Sequence, residues 1–344
     1  MLFRSQRGVP SRIRLNGRGL TPVAGIHFSS PEIHGRWLPE VTPGTWIEVE
    51  ADPGLAPGRH ELSVTGPGGE SAKIAFYVDD VRQIQRQSGA IYLSRLPAAV
   101  WSRHDRPGEP DDCIFEAFAG QTLIFDVNSV SVGGRGNYAL ALLDANDRVV
   151  ASNDGFDGSD DPFLAFDVPR TGYYRIRVTE ETLQSGEDFT YRLTLGELPF
   201  VTGVFPRSVE VGSEGKLEVT GHNLPARLDA RVPTVEPAAG LPVERIEHLR
   251  RRGALNVAVV PMAAVVEQEP NDSAQQGQPV PFPVEINGRI GSPGDGDFFT
   301  FEAHAGQELV VETSAARIGS PLDSRIEILT RDGKPIPQIG RAHV

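Results

Sequence analysis

The segment Phe115-Glu116-Ala117-Phe118-Ala119-Gly120-Gln121-Thr122-Leu123 returns as Phe301-Glu302-Ala303-His304-Ala305-Gly306-Gln307-Glu308-Leu309, a constant 186 residues further on. The register runs on without a gap through Gly133/Gly319, Leu140/Ile326 and Leu143/Leu329. It runs back through Asp111/Asp297, Glu109/Asp295 and Gly108/Gly294. A second pairing, 204 residues apart, matches Gly8, Ile13, Leu15, Gly17 and Leu20 with Gly212, Leu217, Val219, Gly221 and Leu224. Self-similarity at a fixed spacing means that one structural unit is built more than once. The order is A1 (6–80), B1 (81–198), A2 (199–266) and B2 (267–338).

Both unit types read as strands. In A1, Ile47, Val49 and Ala51 alternate with Glu48 and Glu50, and Leu62 and Val64 alternate with Glu61 and Ser63. Period-two alternation buries one face of a sheet, and turn signals such as Pro67-Gly68-Gly69 separate the runs. In B1 the runs fall at 122–127, 138–143, 164–168, 173–179 and 190–195. With 37 Gly and 28 Pro among 344 residues, long helices are disfavoured throughout. The fold class expected is all-β, a tandem array of β-sandwiches. One segment, Val243–Arg252, reads equally as a short helix or a strand, because Val243, Ile246 and Leu249 recur at i+3.

Charge and cysteine content exclude several classes. Thirty-three Lys and Arg against 46 Asp and Glu leave a net charge of −13, contrary to the clustered basic surface that nucleic acid requires. The longest apolar stretch, Ala254 to Val266, is interrupted by Asn256 and Pro261 and is too short to span a bilayer. The single cysteine, Cys113, permits neither an intrachain disulfide nor a cysteine zinc site and reads as a small buried apolar residue.

The residues then carry a resemblance. Glu267-Gln268-Glu269-Pro270-Asn271-Asp272, Ile286-Asn287-Gly288-Arg289-Ile290, Gly294-Asp295-Gly296-Asp297-Phe298-Phe299 and Ala305-Gly306-Gln307 follow one another in an order similar to the bacterial pre-peptidase C-terminal (PPC) domain. That family is a small jelly-roll-like sandwich appended to secreted peptidases and other bacterial surface proteins. B1 is similar but degenerate: it keeps Ala119-Gly120-Gln121 and lacks the Glu-Pro-Asn-Asp opening. A1 and A2 resemble immunoglobulin-like modules of the IPT/TIG class, through Gly17-x-Gly19-Leu20 and Gly221-x-Asn223-Leu224. Tandem pairs of this kind resemble large planctomycete-type exported proteins.

Residues 1–5 and 339–344 fit neither pattern and resemble translated sequencing-adaptor sequence. The expectation is therefore that residues 6–338 are an internal piece of a longer gene and that B2 is cut short. Such an unfinished sandwich would expose an unpaired edge.

No catalytic constellation stands out: there is no His-Glu-x-x-His helix, no Gly-x-Ser-x-Gly elbow and no phosphate loop. Enzymatic activity is not expected, and the eight histidines read singly as surface or turn residues. Calcium is the ligand hypothesis the residues raise, the alternative being an acidic, solvated linker. Hard cations take several oxygen ligands, and Glu267, Glu269, Asn271 and Asp272 supply four oxygen-bearing side chains within six residues. Asp295 and Asp297 close the set, with Ser292 as a weaker contact. The resemblance implies the same residues, since the acidic opening and a downstream acidic turn bind calcium in clostridial collagen-binding members. B1 is an internal control. Applying the 186 offset, Val81, Gln83, Gln85 and Arg86 replace Glu267, Glu269, Asn271 and Asp272, so B1 should lack the site. A second acidic run, 153–161, lacks EF-hand spacing and reads as a Gly/Asp hairpin loop.

In the strand at 173–178, Tyr174, Ile176 and Val178 should face the core, leaving Tyr173, Arg175 and Arg177 outward. With Arg192 placed on the neighbouring strand, these form an aromatic-basic stripe of the kind enriched in binding hot spots. Arg250-Arg251-Arg252 reads as a turn cap. The function expected is binding or spacing by monomeric modules at the outside of a bacterial cell, extracellular, periplasmic or on its surface. The partner expected is an extracellular protein, matrix or polysaccharide. The alternative is an appendage of a secreted peptidase or other hydrolase.

Overall fold

The computed structural model describes residues 3–156, 159–246, 249–252, 255–318, 320 and 322–336. Within them lie 29 strands, two single-turn 3-10 segments and no α-helix, so the chain is all-β. It divides into two compact units, residues 1–200 and 201–344, each holding one A and one B module.

In the first unit, A1 contains β1 (Phe3–Gln6), β2 (Ser11–Leu15), β3 (Gly25–Phe28), β4 (Ile33–Trp37), β5 (Thr45–Ala51), β6 (Gly58–Gly66), β7 (Gly69–Glu70) and β8 (Ile74–Asp79). One sheet has the order β1-β8-β6-β3, with β7 on β6, and the other the order β2-β5-β4. The alternating residues meet between them: Ile13, Leu15, Ile47, Val49, Leu62 and Phe76 share one core. Of the two segments expected as tails, Phe3–Ser5 lies within β1, parallel to β8; residues 1–2 and 339–344 are outside the described residues.

B1 contains β9 (Arg82–Gln85), β10 (Ile91–Leu93), β11 (Ala98–Arg103), β12 (Asp111–Ala117), β13 (Thr122–Asn128), β14 (Tyr138–Leu143), β15 (Val149–Asn153), β16 (Phe163–Asp167), β17 (Gly172–Glu180) and β18 (Thr190–Gly196). They form two five-stranded sheets, β10-β12-β17-β14-β15 and β16-β13-β18-β11-β9. Phe115, Phe125, Tyr138, Ile176, Tyr191 and Leu193 fill the space between. The second sheet is buried on its outer face as well, where Ala99, Ile124 and Phe163 pack with Val81, Leu198 and Phe200. Trp101, 2% exposed, stands on that outer face and meets Tyr77 of A1 at a ring separation of 5.7 Å.

In the second unit, A2 contains β19 (Phe200–Phe205), whose first residue closes the preceding unit, then β20 (Ser208–Glu210), β21 (Lys216–His222), β22 (Ala230–Arg231), β23 (Ala238–Pro242), β24 (Arg250–Arg251) and β25 (Asn256–Val260). Its sheets are β22-β21-β19-β24 and β20-β25-β23. The ambiguous segment at 243–252 is not helical in its described part. Arg250 and Arg251 form the edge strand β24, while Val243, Ile246 and Leu249 enter the core; residues 247 and 248 lie outside the described set. The Arg250–Arg252 run is therefore a strand edge rather than a turn cap, with the Arg251 guanidinium donating to the Ile246 carbonyl at 3.0 Å.

B2 contains β26 (Ala263–Val266), β27 (Gln278–Pro279), β28 (Val284–Asn287) and β29 (Phe299–Thr300); β26 precedes the expected boundary at 266/267, and its pairing with β28 carries the module back to Ala263. The parallel pairs β26–β28 and β27–β29 reproduce β9–β11 and β10–β12 of B1. Residues 301–336 contribute no further strand among those described. The matching strands of B1, β13 and β14, are held by β15 to β18.

Candidate functional site

The acidic opening of B2 leaves β26 at Glu267, whose N–H donates to the Asn287 carbonyl at 3.0 Å. The chain then turns on itself. The Asn271 N–H donates to the Glu269 carboxylate at 3.0 Å, and the Asn271 carbonyl accepts from the Phe298 N–H at 2.9 Å. These contacts draw the opening against the Gly294–Phe298 turn, where the Gly291 N–H donates to Asp295 Oδ2 at 2.6 Å. The Ser292 carbonyl accepts the Asp295 N–H at 3.1 Å. Carboxylate oxygens of Glu269, Asp272 and Asp295 all lie within 4.8 Å of one another. Glu267 and Asp297 face each other beside them.

That inner pair is short of partners. Glu267 Oε1 accepts from the Arg289 N–H at 2.5 Å, but Glu267 Oε2 and Asp297 Oδ1 are buried with none among the described residues. Asn271 is 0% exposed, and neither atom of its side-chain amide has a partner. Burial pushes the Glu267 carboxyl up, and the neighbouring Asp297 adds to the rise. Burial likewise raises Asp297, with Asp295 next, although accepting a hydrogen bond from Glu267 works in the opposite sense.

The structure thus brings Glu267, Glu269, Asn271, Asp272, Asp295 and Asp297 to one corner of B2. Gly288 belongs to this corner without being a ligand. A Cβ built there would stand 2.7 Å from Glu267 Oε2 and 3.5 Å from Asp297 Oδ2, so only glycine leaves that space open. Its signal was present in the Asn287-Gly288-Arg289 motif. The donor set fits a hard cation: carboxylate and amide oxygens only, two of the carboxylate oxygens buried and unpaired.

The aromatic-basic stripe is divided between sheets. Tyr174, Ile176 and Val178 are buried, and Tyr173, at 61% exposure, faces out. Arg177 makes a two-pronged hydrogen bond to Asp112 at 2.8 and 2.9 Å, and Arg175 pairs with Asp147 at 2.8 Å. Arg192 does not join them. It lies on β18 in the opposite sheet, over the Trp101 ring at 5.7 Å and 3.5 Å from the Asp79 carboxylate. Here β17 and β18, consecutive in the chain, join different sheets, and alternation along one strand does not say which sheet it joins. Tyr92, 76% exposed on β10, was missed; it shares the outer face with Tyr173, two strands away across β12.

Other candidates resolve into structure. The 153–161 run is a turn: Asn153 Oδ1 accepts from Gly155 and Phe163, and Asp161 accepts the Ser129 N–H. Asp157 and Gly158 are outside the described residues. His104 departs from the surface reading, being 1% exposed beside Tyr138. Cys113 is 1% exposed, and burial pushes its thiol up to about 12. Among the described residues, no helix is long and apolar enough to cross a membrane.

No family model and no curated protein matches the chain. Among solved structures, it is similar to the pre-peptidase C-terminal domain of a collagenase from Bacillus anthracis, at 16% identity over 32% of this chain and 98% of that one, with a TM-score of 0.26. It is similar to the periplasmic lysozyme inhibitor PliG of Aeromonas hydrophila at 16% identity, covering 34% and 96%, with a TM-score of 0.24. A similarity to the glucan-utilisation protein SGBP-B of Bacteroides ovatus, solved with a mixed-linkage heptasaccharide, has 7% identity, coverage of 56% and 72%, and a TM-score of 0.20.

Proposed function

We propose that this chain is a non-catalytic stretch of a large exported bacterial surface protein. In it, IPT/TIG-like immunoglobulin-like modules alternate with two PPC-like modules, and calcium holds the second PPC-like copy together. The observation that carries the calcium reading is the pair of buried carboxylate oxygens on Glu267 and Asp297, which face each other with no other partner among the described residues, with Glu269, Asp272 and Asp295 beside them. Taking ionised carboxyls out of water is costly unless a counter-charge is supplied. Calcium supplies it with the flexible, oxygen-rich coordination that this corner offers. The residues that would hold it are Glu267, Glu269, Asn271, Asp272, Asp295 and Asp297. Titration of the chelator-treated chain with calcium should give one site, lost in Asp297→Asn.

The binding role rests on the outer face of B1, where Tyr92 and Tyr173 stand exposed around the Arg175–Asp112–Arg177 cluster. Exposed tyrosines on a rigid sheet suit an extracellular protein, matrix or polysaccharide. An array of glycans and matrix proteins, comparing the chain with Tyr92→Ala and Tyr173→Ala, tests it. Loss of signal in both supports a binder, whereas no signal from the parent chain favours a spacer. The second reading is a targeting appendage of a secreted peptidase or other hydrolase, and the same exposed face serves it.

A further inference from the structure

The strand ladders align the two B modules differently from the gapless repeat. Ala98 and Val284 are one repeat apart, and they pair with Arg82 and Ala263 respectively. Following each ladder forward, Arg86 donates its N–H to the Trp101 carbonyl at 2.9 Å, and Glu267 donates to Asn287 at 3.0 Å. Trp101 and Asn287 are again one repeat apart. Arg86 is therefore the counterpart of Glu267, not of Asp272. The segment that follows runs from 86 to 90 in B1 and from 267 to 277 in B2 before the next strand. The additional residues, eleven against five, fall within the segment that carries Glu269, Asn271 and Asp272.

The chemistry at the aligned positions is complementary. In B1 the Arg86 guanidinium lies 2.7 Å from the Asp111 carboxylate, both side chains being about 5% exposed (6% and 4%). Asp111 is the counterpart of Asp297. Its other oxygen accepts from Ser102 at 2.8 Å and Tyr191 at 2.7 Å. In B2 the Arg has become Glu267 and Ser102 has become Gly288, opening space beside two carboxylates instead of filling it. We infer that Arg86 is the first sandwich's built-in counterpart of a cation in the second: one position, filled covalently in B1 and from solution in B2. The inference rests on the calcium reading above and adds where the cation's charge is needed, between Glu267 and Asp297. A guanidinium and a divalent cation are alike in satisfying a buried carboxylate.

Removing Arg86 would leave Asp111 without its counter-charge and destabilise B1 whatever its role, so the test adds a guanidinium to B2. The full chain is compared as wild type, Glu267→Gln, Glu267→Arg and Glu267→Arg/Asp297→Asn. Calcium binding is read by calorimetry, and backbone protection of residues 284–300 by hydrogen exchange in chelator. Glu267→Arg should bind no calcium and yet exchange ~10-fold more slowly in chelator than Glu267→Gln. The added Asp297→Asn should cancel that gain. Exchange in Glu267→Arg as fast as in Glu267→Gln would overturn the inference. If the wild type gives no calcium heat, the calcium reading fails, while the comparison in chelator still decides the role of the ion pair.

Discussion

Asn287 holds Ser208 on three sides: its Oδ1 accepts from the Ser208 N–H at 2.9 Å and hydroxyl at 3.1 Å, and its Nδ2 donates to the Ser208 carbonyl at 3.2 Å. The same Oδ1 also takes the Arg207 N–H at 2.9 Å. One buried side chain thus fastens β28 of B2 to the start of β20 in A2. Asn287→Ala leaves buried backbone groups without partners and should cost about 2–3 kcal/mol. Asn287→Asp keeps the acceptors and should cost less. Urea denaturation, followed with proteolysis around residue 207, checks both.

Arg86 and Asp111 form the buried ion pair of B1. Arg86→Met should destabilise the first unit by about 3–5 kcal/mol, because the Asp111 carboxylate then stays buried without its counter-charge. Arg86→Met/Asp111→Asn should recover part of the loss, only part because Ser102 and Tyr191 then donate to a neutral acceptor. Equilibrium unfolding of both variants gives the difference.

Acidity should act on B2 in the sense opposite to ordinary surface carboxylates. Glu267 and Asp297 are raised by burial in the folded protein. A carboxyl with a raised folded value contributes stability while protonated, and loses it as pH rises through that value. In chelator, protection of 284–300 should therefore be greater at pH 4 than at pH 7. Calcium should reverse the trend and release protons on binding, measurable in weakly buffered solution.

Cys113 should be silent toward thiol reagents. Its thiol, pushed up to about 12 and enclosed in the B1 core, offers almost no thiolate at pH 8. Labelling by a thiol reagent should wait for denaturant and so report unfolding of B1.

Much of the fold was legible because alternation is local. The residues that place Tyr174, Ile176 and Val178 inward sit side by side in the sequence, and so do those of β13, β14 and β18. Sheet membership is not local, which is why Arg192 was assigned beside Arg175 when a whole sandwich separates them. The acidic corner was legible as composition: five carboxylates and an amide in two short segments. The Arg86 correspondence was hidden because the repeat matches without a gap from Gly108 onward, while the length difference falls before it, between the first two strands. Only the backbone ladder shows where the register moves. Gly288 escaped for a related reason: its contribution is an absent atom, and a residue search looks for ligands.

Position 101 in B1 and position 287 in B2 are the same place in the repeat, and each grips the A module before it. Trp101 does so by a tilted ring contact with Tyr77, Asn287 by hydrogen bonds to Ser208. The two joints obey different thermodynamics. Apolar burial loses strength on cooling, while amide hydrogen bonds carry no such heat-capacity signature. The joint at Trp101 draws on apolar burial beside the Tyr77 hydroxyl's hydrogen bond to the Ser131 carbonyl, so cooling should loosen it more than the joint at Asn287.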